Sequence, residues 1–187
     1  MTSSLVRTLG FLLVLFLLVS CGGKKGQPEE QGAAPLQKLD RKYDTLLFAP
    51  FTATPAIAKD YPAAAAELQH SAMTALQMGN EFKKVGTVAE EVPAGGKTLL
   101  VKANIVDIRI VSGAARFWGG AMAGRSGVEF DLQLIDRATD KVVREDKLSS
   151  WNNPFGAVWT RGSTDNSLMS DMGKITAQYL VDAMPAQ

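Results

Sequence analysis

Thr98 to Val111 reads TLLVKANIVDIRIV, and the alternation within it decides the fold class. In its first half Val101, Ala103 and Ile105 alternate with Lys102 and Asn104. In its second half Val106, Ile108 and Ile110 alternate with Asp107 and Arg109. Side chains change faces at every residue of a strand, so a period of two predicts a β-strand. The apolar set moves from odd to even positions between Ile105 and Val106. Two arrangements account for that step: a β-bulge, or burial on both faces at that point.

Working outward, Gly127 to Ile135 (GVEFDLQLI) alternates Val128, Phe130, Leu132 and Leu134 with Glu129, Asp131 and Gln133. That pattern predicts a strand with one wet face. Asp136-Arg137-Ala138-Thr139-Asp140 is a polar turn, and Lys141 to Trp151 is the return strand of a hairpin. Upstream, Tyr43 to Phe51 (YDTLLFAPF) is a short apolar run interrupted by Pro50 and reads as a buried strand. Tyr61-Pro62 opens a helix to about Gln77, with Leu68, Ala72, Ala75 and Leu76 on its apolar face and Gly79-Asn80 as its stop. Lys83 to Val88 is a weak strand. Ser163 to Met184 carries Leu168, Met172, Ile175, Tyr179, Leu180 and Ala183 at helical spacing, which predicts an amphipathic closing helix. The order is β-α-β-β-β-β-α. The expected fold is a single-domain α+β architecture, a mostly antiparallel sheet with two helices packed on it.

The amino-terminal end carries an address. Arg7 precedes Leu9 to Val19 (LGFLLVLFLLV), an apolar run of eleven residues. A spanning helix needs roughly 20 such residues, whereas a secretory h-region takes about 7–15. The run ends in Leu18-Val19-Ser20-Cys21, which resembles the bacterial lipobox. The resemblance implies cleavage after residue 20 and lipidation of Cys21, the single cysteine of the chain. Residues 1–20 are then a lipoprotein signal peptide. Residues 21–38 form the lipidated cysteine and a Gly- and Pro-containing flexible linker, and residues 39–187 a globular domain. More than one acyl chain makes such an anchor stable. Gly22-Gly23 lacks the aspartate associated with inner-membrane retention, so the resemblance points to the outer membrane, facing the periplasm.

Composition narrows the function further. The chain has 20 basic and 19 acidic side chains, and loss of Arg7 with the signal leaves 19 of each. A neutral balance argues against nucleic-acid binding, which needs clustered Lys and Arg. With one histidine, His70, and one cysteine destined for lipid, neither a Ser-His-Asp triad nor a zinc site assembles. His70 lies off the apolar stripe of its helix and reads as a surface side chain. Glu90-Glu91 point to opposite faces if extended, and Asp136 and Asp140 read as turn formers. No cofactor or metal is expected, and no catalytic residue.

Two segments stand apart. Ser112 to Gly127 (SGAARFWGGAMAGRSG) joins the two best-defined strands. It reads as a phosphate cradle with Arg116 or Arg125 assisting, as a self-association or membrane-contacting hairpin using the small-xxx-small pair Gly120 and Gly124, or as a plain hairpin connection. It has no GK[ST] ending, which weakens the nucleotide reading. The second segment is Trp151-Asn152-Asn153-Pro154-Phe155-Gly156, with Trp159 and Arg161 beyond it. Trp and Arg are enriched at interface hot spots, but such aromatics also tuck into cores. The candidate partner-binding residues are Arg116, Phe117, Trp118, Gly120, Gly124, Arg125, Trp151 and Trp159.

The stretch IVDIRIVSGAARFWGGAMAGRSGVEFDLQLIDRATDKVV resembles the core of a bacterial lipoprotein family known as domain of unknown function 4410. Gly113, Arg116, Gly119, Gly120, Gly124 and Asp136 carry the resemblance, and Asp140 stands where that family usually has glycine. The layout is more loosely similar to the N-terminal domain of the Tol translocation protein and to the curli secretion lipoprotein. These resemblances imply a non-catalytic envelope protein that binds an envelope partner or assembles. A homo-oligomeric secretion or pore component is the alternative, and an enzyme on an envelope substrate a weaker one.

Overall fold

The alternating stretch becomes the longest strand of the sheet. The computed structural model describes residues 36–89, 97–111, 126–150 and 167–185. Among these the elements are β1 (Thr45–Phe48), β2 (Thr52–Ala53), α1 (Pro55–Asp60), α2 (Ala64–Gly79), β3 (Lys84–Thr87), β4 (Thr98–Arg109), β5 (Gly127–Asp136), β6 (Lys141–Ser149) and α3 (Leu168–Ala183). The fold is α+β, with β2 and α1 added to the expected order. Pro55 in its first turn suits α1, but the helix buries no residue and therefore has no apolar period to read.

The strands form one sheet in the order β3-β1-β4-β5-β6, with β2 also pairing β4. The expectation of a mostly antiparallel sheet is corrected to a mixed one. β1 runs parallel to β3 and to β4, and β2 parallel to β4, while β4–β5 and β5–β6 are antiparallel. The α2 crossover returns the chain beside β1 in the same direction, which makes the β1–β3 pair parallel. All four residues of β1 are buried, as a central parallel strand requires. The phase change in β4 is a bulge. Ile105 pairs with Phe130 and Asp107 with Glu129, leaving Val106 as the extra residue. Ile105 and Ile108 can then both reach the main core.

The helices cover one face of the sheet. Ala64, Leu68, Ala72 and Leu76 are the buried residues of α2, spaced by four, and Asn80 closes the helix with φ 55°. Every apolar position expected for α3 is buried. The two helices meet so closely that a Cβ on Gly173 would stand 2.5 Å from the Ser71 Cβ. The Ser71 hydroxyl donates there to the Ser170 carbonyl at 2.6 Å. Leu46, Phe48, Leu99, Val101, Phe130, Leu132 and Leu134 meet the helices in one core, and Leu47, Leu100 and Ile135 form a smaller cluster apart from it. In the β5–β6 turn Asp140 has φ 49°, a left-handed conformation that explains why glycine is usual at this position. Residues 33–187 form one compact unit.

Candidate functional site

At one end of the sheet, two long connections leave and return side by side. Arg109 at the end of β4 pairs with Gly127 at the start of β5, so residues 112–125 are rooted on adjoining strand ends. The Val111 N–H donates to Ser126 Oγ at 2.9 Å and closes that root. The Val128 N–H donates to Ser150 Oγ at 2.9 Å, and the Ser150 N–H to the Val128 carbonyl at 3.0 Å, so β6 ends beside the same root. Residues 151–166 start there and return at Ser167, where α3 begins. A pocket of about 260 Å³ lies at this end, lined mostly by apolar side chains, among them Tyr61, Ile108, Ile110 and Met169, together with Glu67. Ile110 is 42% exposed. The even phase after the bulge marks Ile110 as apolar, but only the structure shows that it lies past the end of β4, where no strand among the described residues pairs with it.

The opposite end is a polar clamp; the sequence marked Asp136 as a turn former but not the long-range partners that gather on it. Residues 37–39 are tied to α3 and to β6. The Leu39 N–H donates to the Ala183 carbonyl at 2.8 Å, Lys38 Nζ to the Asp182 carbonyl, and Arg144 Nη2 to the Gln37 carbonyl. Leu36, expected within the linker, packs against the core. Buried Asp136 is the hub. Its Oδ1 accepts the Ala138 and Thr139 N–H groups at 2.9 and 3.2 Å, fixing the turn. Its Oδ2 accepts the Tyr43 hydroxyl at 3.0 Å and meets Arg41 at 2.6 Å. A similar trio sits alongside, with the Tyr179 hydroxyl donating to Asp146 and Arg144 Nε 3.7 Å from the same carboxylate. A cleft of about 490 Å³ separates residues 36–41 from β6.

The electrostatics suit holding rather than proton transfer. Burial would raise the Asp136 carboxyl, but the Tyr43 hydroxyl, the turn N–H groups and Arg41 outweigh it and hold it below the usual aspartate range. Burial, then the Asp136 carboxylate, pushes Tyr43 upward. Burial, then Asp146, pushes Tyr179 upward. A carboxylate made less basic beside tyrosines that keep their protons is no general base near neutral pH. Among the described residues no group of three or more His, Cys, Asp or Glu side chains could hold a metal. His70 is exposed on α2, and Asp140 pairs with Arg137 at 3.0 Å on the turn.

Cys21, Arg116, Phe117, Trp118, Gly120, Gly124, Arg125, Trp151 and Trp159 lie outside the described residues, as do Glu90 and Glu91. The described roots bring the two candidate segments to one end of the sheet. Asp136, which carried the family resemblance, has a structural reason in the clamp.

The family model of Domain of unknown function (DUF4410) matches residues 48–185, most of the chain. The chain belongs to that family. Among solved structures, this DUF4410 domain is similar to a PelC dodecamer from Paraburkholderia phytofirmans that carries a single substitution. The TM-score is 0.50 at 15% identity, covering 82% of this chain and 95% of that one. A protein from Xanthomonas campestris, XCC0632, matches with TM-score 0.46 at 11% identity, covering 80% of this chain and 94% of that one. No curated protein matches the chain. At these identities the PelC likeness establishes the fold alone.

Proposed function

We propose that this DUF4410 chain is a lipid-anchored envelope protein that works by binding and assembly rather than catalysis. Its anchor is the lipid on Cys21, and it stands at the outer membrane facing the periplasm. One observation carries the reading: the segments bearing Trp118, Trp151 and Trp159 share roots at one end of the sheet. The linker joins the domain at the other end. β5 runs between the two ends, and its ten residues make the separation about 30 Å. A tether at one pole leaves the other pole clear for an envelope partner. Arg116, Phe117, Gly120, Gly124 and Arg125 belong to the same proposed contact surface, and no cofactor or nucleic acid is required.

The test is partner capture. Trp118→Ala and Trp151→Ala in the lipidated chain should lower cross-linking to one envelope protein in mild detergent while the melting temperature holds. Unchanged cross-linking by both variants would sink the proposal. A radiolabelled fatty acid incorporated into the wild type but not into Cys21→Ser checks the anchor separately.

A second reading has its own support. PelC, which shares the fold, was solved as a dodecamer. Self-assembly of this chain is therefore proposed as the alternative, with Gly120 and Gly124 as its candidate contacts. A defined homo-oligomer in detergent supports it, and a strict monomer refutes it.

A further inference from the structure

We propose that a basic corner at the linker end of the sheet, around Lys42, Lys83 and Lys97, docks on an anionic phospholipid surface. The proposal deepens the anchoring part of the proposed function and rests on it.

Three lysines converge there on one carboxylate. Lys83 Nζ lies 3.0 Å from Asp44 Oδ2, and its side chain is 79% exposed. The Asp44 and Thr45 N–H groups donate to the Lys97 carbonyl at 2.9 and 3.2 Å, which sets Lys97 beside the start of β1. Lys42 stands two residues before Asp44. The Lys83 ammonium first, and then the charges of Lys97 and Lys42, hold the Asp44 carboxyl below the usual aspartate range, outweighing burial. The β5–β6 turn joins the corner, because the Arg137 N–H donates to the Thr98 carbonyl at 3.0 Å, and the turn leads into Lys141. Five basic side chains thus stand against two acidic ones, Asp44 and Asp140, and Asp140 is taken up by Arg137. The other acids of this end lie apart. Asp40, Asp136, Glu145 and Asp146 line the cleft, and Glu81 lines a hollow with Lys174.

Two observations favour a bilayer over a dissolved anion. Apolar side chains are exposed at the same end: Met78 at the carboxyl end of α2, and Val142 and Val143 after the turn. They are three of the five large hydrophobic side chains exposed among the described residues. Cations interleaved with exposed apolar groups suit a headgroup layer, where charge meets phosphate and the apolar groups reach past it. The second observation is where the chain enters. Fourteen residues separate Cys21 from Leu36, which packs on the core at this end. A coil of that length spans about 20 Å, so a lipid on Cys21 would hold the corner within reach of the headgroups. At such effective concentration a weak attraction is enough. Lys24 and Lys25, in the same stretch, add charge of the same sign.

Lysine acylation read by mass spectrometry tests the contact on the lipidated chain. The chain is floated with vesicles of phosphatidylcholine alone, or of phosphatidylcholine mixed with phosphatidylglycerol. Expected at low salt is severalfold lower labelling of Lys42, Lys97 and Lys141 on the phosphatidylglycerol vesicles, with exposed Lys59 of α1, towards the opposite end, unchanged. High salt should erase the difference. Lys97→Gln removes one charge, worth about fivefold in surface affinity, so labelling of Lys42 and Lys141 should rise towards the phosphatidylcholine level. A chain that floats with both kinds of vesicle but labels equally on them overturns the docking and spares the anchor. Protection of Lys59 in place of the corner puts the opposite end on the bilayer and also overturns the docking. Flotation with phosphatidylglycerol vesicles alone supports the docking and overturns the anchor, and flotation with neither overturns both.

Discussion

The two ends of the sheet use their polar side chains differently. Where the linker joins, Asp136 alone accepts from Tyr43, Ala138 and Thr139 and pairs with Arg41, and Asp146 accepts from Tyr179. At the other end two serine hydroxyls close the loop roots, and apolar Ile108 and Ile110 line a pocket. One pole ties distant segments together through a buried carboxylate, and the other is closed by single hydrogen bonds to serine hydroxyls. The proposed function calls for both: a junction that does not fray at the proposed tether, and a far end whose contacts can change without loss of the fold.

Removal of the hub should have the largest effect. Asp136→Ala strands the Tyr43 hydroxyl, two turn N–H groups and Arg41, and is expected to cost about 3–5 kcal/mol in urea unfolding. A cost under about 1 kcal/mol would show that the clamp is not built on this carboxylate. Gly173→Ala, between the poles, forces a Cβ into Ser71 and should cost about 1–3 kcal/mol. Because it tests helix packing alone, it calibrates the effect at each end.

Acid should act on the clamp selectively. The Asp136 carboxyl is held below the ordinary aspartate value of 3.8, so its ionised form contributes stability in full above that pH. The contribution is lost as pH falls through the depressed value. Stability measured by urea titration should therefore decline below pH 3.8 in the wild type, and the decline should be shallower in Asp136→Asn. Equal slopes would remove Asp136 from the acid response.

The loop-root end should be more forgiving. Ser150→Ala removes the acceptor of the Val128 N–H and is expected to cost about 1 kcal/mol. Ile110→Ser, at an exposed position, should change stability by no more than about 0.5 kcal/mol. If Ile110→Ser proved as damaging as Asp136→Ala, the contrast between the poles would collapse.

Periodicity made the elements legible because it is local. The alternation of β4 and β5, the phase step at Val106 and the four-residue spacing of α2 are each written within one segment. The six residues of α1 bury nothing and leave no such trace. Candidate contact residues were legible only as composition, since glycines and tryptophans in a connection signal an unusual segment without fixing its surroundings. Asp136 showed itself as a turn former because the acidic turn is local, but its partners Arg41 and Tyr43 lie more than ninety residues away.

By itself the sequence determined the α+β class, the bulge-or-burial choice in β4 and the apolar faces of both long helices. Each depends on neighbours within a few residues, where spacing dictates which side chains share a face. Tertiary structure alone decided the parallel pairing of β1 with β3 and β4, the close helix contact at Gly173, the clamp around Asp136 and the common root of the two long connections. These depend on which distant segments meet, and strand direction and long-range pairing leave no periodic signal in the chain that adopts them.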